Sequence, residues 1–420
     1  MSKRLKVGVF GAGRGSFLAT TFMLLNCDIV AICEKNEARL NAFFDAEKTF
    51  PDAKIYTNFD EFIEHDMDAV ILANYFNEHA PYAIKCFEKG IHVYSECISN
   101  GTMAEGVELV EAFEKADNVI YMLAENYPQM IFNREMQRVC KDGTLGKFLY
   151  AEGEYNHPVS PYDGGFLRDN MYCEDHWRHH LPPSYYVTHS LGPVMKATGA
   201  IPKVVTCFAT LDPQFISGTP TARYNADNTA IITTHNDDGS IFRVVGWGQH
   251  GAHHNAYRIC GHKGQIENLR GTGDKIMLRY NDWDTPEGKE AVNCYEAQWN
   301  DKDEELIKSS GHGGGDFLTA RIFVEAVRAN KQPEFPFDVY SGTTMSSVAI
   351  LGHRSMLEGG KPYNIPDFSK KEDRDLWRND RLTPFIGPNG EEPTLPCCSL
   401  TDFKPTEEQL NGYRDLRDNK

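Results

Sequence analysis

The chain has 420 residues, 41% of them hydrophobic and 25% charged, enough apolar sequence for two packed cores and incompatible with a disordered protein. Its formal net charge of −17 is spread along the sequence rather than gathered into runs, and an acidic surface repels phosphate backbones, so neither nucleic acid nor an anionic membrane is expected as a partner. No segment approaches the roughly 18 apolar residues that cross a bilayer. The run Met1–Val7 leads directly into a strand pattern, and the eleven scattered cysteines form no Cys-x-x-Cys pair; both features lead us to expect a cytoplasmic protein with reduced thiols.

In chain order, Lys6–Gly11, Asp28–Glu34, Ala69–Asn74, His92–Glu96 and Val119–Glu125 are short apolar runs that predict strands. Asn36–Lys48, Glu78–Lys89 and Met103–Ala116 lie between them and carry helical spacing. Apolar strands alternating with helices predict a doubly wound parallel sheet of Rossmann type, covered on both faces. After Gly146 the pattern changes. Lys147–His157, Lys203–Leu211, Thr229–Asn236, Ser240–Gln249, Asn255–Cys260 and Gly264–Leu269 are strand-like, with turn residues such as Asn236–Gly239 between some of them. They predict an open, mainly antiparallel sheet, followed by helices over Asp316–Asn330 and Val339–Glu358. The fold class is therefore α/β, with a Rossmann domain over 1–126, an α+β substrate domain over 127–367 and an extended polar tail over 368–420.

Chemistry enters at Gly11-Ala12-Gly13-Arg14-Gly15-Ser16, which closes the first strand and opens a helix. Glycines there let the chain turn tightly and let backbone N–H groups approach a pyrophosphate at the helix N-terminus. Glu34 ends the second strand about 20 residues on, where a carboxylate grips the adenosine ribose diol and repels a 2′-phosphate. This context selects NAD rather than NADP. The segments Asn74-Tyr75-Phe76-Asn77-Glu78-His79 and Glu96-Cys97-Ile98, together with Glu125, fall at the carboxyl ends of later strands, the edge that faces a bound dinucleotide.

Taken together, these segments resemble the Gfo/Idh/MocA oxidoreductases, which act mostly on sugars and polyols. Where dehydrogenases of that family carry Glu-Lys-Pro with a catalytic lysine, this chain has Glu96-Cys97-Ile98. A closer likeness is to the NAD-dependent α-N-acetylgalactosaminidases built on the same fold, which also lack the lysine. It is carried by Glu125-Asn126, by Phe76 through Pro81, by Tyr155-Asn156-His157 and by Trp177-Arg178. It is carried further by Tyr186-Val187-Thr188-His189-Ser190-Leu191-Gly192-Pro193 and by Gly311 through Asp316, with Ser190 standing where that family has glycine.

The resemblance implies that His189 and Tyr186 handle protons on a sugar, with Tyr155 and Arg178 in the same pocket. It also implies that Gly11, Gly13, Arg14, Gly15, Ser16, Glu34, Asn74, Tyr75, Phe76, His79, Glu96, Cys97 and Glu125 hold NAD. The reaction is then hydride removal from C3 of a glycoside. It either continues through elimination, water addition and return of the hydride, giving net hydrolysis, or stops at a 3-keto product. Two other readings stand beside it: an ordinary sugar or polyol dehydrogenase with His189 as base, and a non-catalytic dinucleotide sensor. His176 and His180 are spaced i, i+4 near carboxylates, a conceivable metal pair, but hydride chemistry needs no metal and none is expected. The open sheet is expected to join copies of the chain into a homo-oligomer.

Overall fold

A computed structural model describes residues 4–36, 49–160, 176–211 and 226–404, with residues 40, 165, 167–171, 173, 406–408, 411 and 415. The helix expected over Asn36–Lys48 lies largely outside the described residues. The chain divides into two compact units, one of residues 1–131, 298–343 and 367–380, the other of residues 132–297, 344–366 and 381–420.

In the first unit, six parallel strands are ordered β3-β2-β1-β4-β5-β6. They are β1 (Leu5–Phe10), β2 (Cys27–Cys33), β3 (Lys54–Tyr56), β4 (Ala69–Leu72), β5 (His92–Ser95) and β6 (Tyr121–Leu123). This is the doubly wound order in which the direction of winding reverses between β1 and β4, leaving a crevice beyond their carboxyl ends. The flanking helices are α1 (Ala12–Leu24), α2 (His79–Glu88) and α3 (Met103–Lys115). α3 starts in a capping box: Thr102 Oγ accepts from the Glu105 amide at 3.2 Å and the Glu105 carboxylate accepts from the Thr102 amide at 3.1 Å. Leu18 and Phe22 of α1 are buried with Val7 and Val9 of β1 and with Phe323 from a later helix that belongs to this unit.

The second unit is built on a nine-stranded sheet ordered β14-β13-β12-β11-β7-β10-β9-β8-β15. Its strands are β7 (Phe148–Asn156), β8 (Pro202–Thr210), β9 (Thr229–Asn236), β10 (Ile241–Gly248), β11 (His254–Gly261), β12 (Gly264–Asn268), β13 (Lys275–Tyr280), β14 (Val292–Glu296) and β15 (Tyr363–Asn364). β7 and β10 run parallel and the other neighbours antiparallel, so the sheet is mixed and mainly antiparallel. Among the described residues the structure adds β3, β13, β14 and β15 to the expected strands; its longer added helices are α4 (Ile131–Lys141) and α5 (Thr188–Thr198), beside short ones over Phe59–Phe62, Glu304–Ser309 and Lys371–Asp375. The helices expected over Asp316–Asn330 and Val339–Glu358 are α6 (Gly315–Ala329), in the first unit, and α7 (Val339–Leu357), which contains the boundary between the units.

β9 shows strict alternation, burying Ala230, Ile232, Thr234 and Asn236. That alternation gives the sheet one covered and one outer face. On the outer face Glu152 and Glu154 of β7 are bridged by Arg258 at 2.7 Å and by Arg243 at 3.1 Å respectively. Arg270 adds a bond to Glu154 at 2.9 Å. Cross-strand pairs of this kind neutralise carboxylates that the neighbouring side chains have largely removed from water.

Candidate active site

The expected cofactor residues lie in the first unit, on α1 or at the carboxyl ends of its parallel strands. Gly11 has φ +96°, and a Cβ there would collide with the Ala73 carbonyl at the end of β4. Glycine is therefore required where the ends of β1 and β4 approach each other. A Cβ on Gly13 would meet nothing within 4 Å, so the first turn of α1 is open on that side. Glu34 follows β2, and its carboxylate accepts from the Ala12 amide at 2.9 Å and the Asn36 amide at 3.1 Å. It thus caps the first turn of α1, which has no cap from its own N-cap residue.

In the loop from β4 into α2, Asn74 Nδ2 reaches the Glu78 carbonyl at 3.4 Å, the Tyr75 carbonyl accepts from the Glu78 amide, and Phe76 is buried. His79, the first residue of α2, holds the Ile98 carbonyl at 2.7 Å through Nδ1. Burial lowers its pKa despite that bond and the nearby Glu96, so its imidazole is neutral near pH 7. Buried side-chain oxygens on Ser16, Asn74 and Asn77 have no protein partner. Orphaned polar atoms along this edge, with a first turn of α1 open to approach at Gly13, suit a ligand rich in hydroxyl and phosphate oxygens. The residues present fit NAD.

Arg14 and Glu96 have a different setting from a simple cofactor contact. The Arg14 guanidinium donates to Glu96 at 2.9 Å and, through both terminal nitrogens, to Asp316 at 3.0 and 2.5 Å. Asp316 stands in the first turn of α6 and also accepts from Asn126 at 2.7 Å and pairs with His312 at 3.0 Å. Burial alone would raise the Asp316 pKa, but His312 and Arg14 outweigh it and hold the carboxyl well below the usual aspartate range. Arg14 is likewise pulled down by burial and raised further by Glu96 and Asp316. Cys97 follows β5, and its thiol donates to the fully buried Glu125 at 3.2 Å; Glu125 also accepts from the Tyr127 amide at 3.1 Å.

The four expected catalytic residues come together in the second unit. Tyr155, near the end of β7, stacks on Tyr186 with ring centroids 5.5 Å apart. His189 meets both rings edge-on, at 4.9 and 5.1 Å. The Arg178 guanidinium lies over Trp177 at 4.3 Å, Trp247 at 5.4 Å and Tyr186 at 5.8 Å. His157 and His253 meet edge to face at 4.6 Å beside Tyr155. Burial, with His253 and Arg178 nearby, lowers the His157 pKa.

Two glycines bring this group onto the sheet. A Cβ on Gly153 of β7 would strike the Ser190 carbonyl, and one on Gly246 of β10 would strike the Pro183 carbonyl. Both elements that carry Tyr186 and His189 therefore rest directly on strand backbone. Pairing between β10 and β7 slips at Gly246, so that Trp247 stands opposite Tyr155. Trp247 and His253 are additions to the expected set. Gly246 within an apolar strand is the sequence signal that accompanies such a bulge.

Residues 5–124 match the family model for the oxidoreductase family with an NAD-binding Rossmann fold, and residues 228–375 match the glycosyl hydrolase 109 C-terminal domain. A glycosyl hydrolase family 109 protein of Saccharopolyspora erythraea is 25% identical, over 93% of this chain and 87% of its own. An alpha-N-acetylgalactosaminidase of Tannerella forsythia is 25% identical, over 81% of each chain. The fold is also that of levoglucosan dehydrogenase solved with NADH and levoglucosan, at TM-score 0.70 and 16% identity, covering 87% of this chain and all of the other.

One prediction follows for the cofactor. Glu34→Ala should weaken NAD binding by tenfold or more, the worth of about 1.5 kcal/mol or more for hydrogen bonds to a charged group. It should also relax the preference over NADP and lower the melting temperature, because the Ala12 amide loses its acceptor. Equal affinity of the wild-type protein for NAD and NADP in a calorimetric titration would contradict the assignment. The chain thus matches the NAD-binding Rossmann-fold model of the Gfo/Idh/MocA oxidoreductases over residues 5–124 and the glycosyl hydrolase 109 C-terminal domain model over residues 228–375.

Proposed function

We propose that this protein is an NAD-dependent, sugar-active enzyme that oxidises C3 of a glycoside and carries the 3-keto sugar on to glycosidic cleavage. The observation that carries the reading is the gathering of Tyr155, Arg178, Tyr186 and His189 into one cluster of the second unit. The glycosyl hydrolase 109 relatives support the same reading. NAD, when bound, supplies the acceptor and later the donor of the hydride at C3.

The chain's own residues manage protons and orientation. His189 takes the C3 hydroxyl proton as hydride leaves, because an alcohol cannot become a ketone without losing both. The ketone acidifies the C2 hydrogen. Tyr155 or Tyr186, stacked beside His189 and acting as its phenolate near Arg178, removes it as the bond from C1 to the leaving oxygen breaks. Water then adds at C1 while a proton returns to C2, before the hydride returns to C3. Arg178, fixed over three aromatic rings, binds sugar hydroxyls and keeps positive charge near the developing oxyanion. Trp177 and Trp247 offer flat apolar surface to the sugar ring.

Cys97 occupies the lysine position of the ordinary dehydrogenases, and its thiol is engaged with Glu125. We therefore expect Cys97→Ala to keep turnover within about tenfold of wild type. A loss of a hundredfold or more, about 2.7 kcal/mol of barrier, with NAD binding intact would make the thiol catalytic. We further propose a cytoplasmic homo-oligomer joined through the outer face of the nine-stranded sheet. Phe208 and Ile231 support this, being exposed side chains that stand opposite each other in register. Among the described residues no helix is long and apolar enough to cross a membrane.

The test is mass spectrometry of the purified protein incubated with a panel of aryl glycosides. A free sugar without accumulated NADH supports the hydrolase. NADH with an intact keto-glycoside supports a 3-dehydrogenase, and no product with any member contradicts the proposal.

A further inference from the structure

α5 contains Pro193 in its interior. Proline has no N–H, so it cannot make the helical bond to the carbonyl four residues back. That carbonyl belongs to His189. The Tyr257 hydroxyl from β11 donates to this oxygen instead, at 2.6 Å. Tyr257 is buried, with the Phe132 ring stacked on it at 6.0 Å. Its backbone is held as well: the Tyr257 amide donates to Asn268 Oδ1 at 2.7 Å, and Asn268 Nδ2 donates to the Asn255 carbonyl at 2.8 Å. The first turn of α5 is thereby tied to the sheet at the residue whose ring faces Tyr155 and Tyr186, while on β7 a Cβ at Gly153 would collide with the Ser190 carbonyl, so the helix rests on strand backbone there.

We infer that Tyr257 is a positioning residue for His189, its hydroxyl replacing the helical donor that Pro193 withholds and so fixing where the imidazole stands. The inference rests on the reading of His189 as the base. A helix that closed its own ladder at this carbonyl would be anchored only to itself; the proline frees the oxygen for a bond to a rigid strand. A displacement of about 1 Å in a reacting group is enough to cost about a hundredfold in rate.

The experiment is a double-mutant cycle on the full chain with Tyr257→Phe, Pro193→Ala and the pair together. It is read by steady-state kinetics on the aryl glycoside that the wild type turns over fastest. A second readout, needing no turnover, is the ring resonances of His189 in histidine-labelled protein, assigned by their loss in His189→Ala. Tyr257→Phe should lower kcat ten- to a hundredfold with KM within about twofold, and should displace the His189 resonances. Pro193→Ala alone should stay within about threefold of wild type. The pair should recover kcat to within about threefold of wild type and return the resonances, because an alanine at 193 supplies the missing N–H to the His189 carbonyl. If Tyr257→Phe unfolds the protein, the same recovery should appear as restored melting temperature in the pair. Wild-type kcat and unmoved resonances in Tyr257→Phe, or a pair no better than Tyr257→Phe, would overturn the inference. If His189→Ala itself turns over normally, the base assignment fails whatever the cycle shows.

Discussion

His189→Ala is expected to abolish turnover, with kcat at least a thousandfold below wild type and NAD binding unchanged. Removal of a positioned general base costs about 10²–10⁴ in rate, and the upper part of that range applies because hydride departure requires the hydroxyl proton to leave with it. The ring sits edge-on to two tyrosines with centroids 4.9 and 5.1 Å from its own, so its loss opens a gap as well as removing a base. His189→Gln, which keeps a polar group of similar length, should remain equally inactive if proton transfer is the role. Rapid-mix kinetics with a titration of NAD on the same preparation would check this. Full activity of either variant would make His189 a packing residue and displace the cluster from the reaction.

The second large effect is on stability. Asp316→Ala removes the carboxylate that accepts from Arg14, His312 and Asn126. Among the described residues it leaves the Arg14 guanidinium with Glu96. Deleting one partner of a fully buried ion pair costs about 3–5 kcal/mol; Arg14 is partly exposed and keeps Glu96, so urea unfolding should report a smaller loss, about 1–3 kcal/mol. The pH dependence has a definite sign. The Asp316 carboxyl is held below its ordinary value of 3.8 in the folded protein, so its stabilisation is complete above about pH 4 to 5 and is lost as pH falls through the folded pKa. The wild type should lose stability in that acidic window, and Asp316→Ala should lose less there. A wild-type protein and variant with parallel acid-denaturation curves would contradict this account.

The part of this architecture that depends on local pattern was legible in the sequence. β1, Gly11 and Glu34 follow from the spacing of apolar residues and from what a tight turn permits, and β9 alternates as a half-buried strand must. Nonlocal pairing was not legible. Nothing in β7 or β10 alone says that these two strands run parallel while every other neighbour in the sheet is antiparallel. β3 is three residues long and β14 alternates without strong apolar character, too little for a periodicity argument. α5 carries Gly192 and Pro193, both poor helix formers, so its sequence pattern signals a motif rather than a helix. In the candidate site, the histidine and tyrosines stood out through their motif. The ion network of Arg14 did not, because Glu96 and Asp316 are separated from it by 82 and 302 positions.

The central claim, a 3-keto intermediate on the way to glycosidic cleavage, is tested most directly by running the reaction in deuterated water and locating the label in the released sugar. Removal of the C2 proton and its replacement from exchanged solvent should leave deuterium at C2. The hydrogen at C3 leaves and returns as the same hydride, so C3 should stay unlabelled. Nuclear magnetic resonance of the purified product reads both positions at once. Deuterium at C2 with none at C3, and no accumulating NADH, is the predicted result. A released sugar unlabelled at both carbons, as direct displacement by two carboxylates would give, would contradict it.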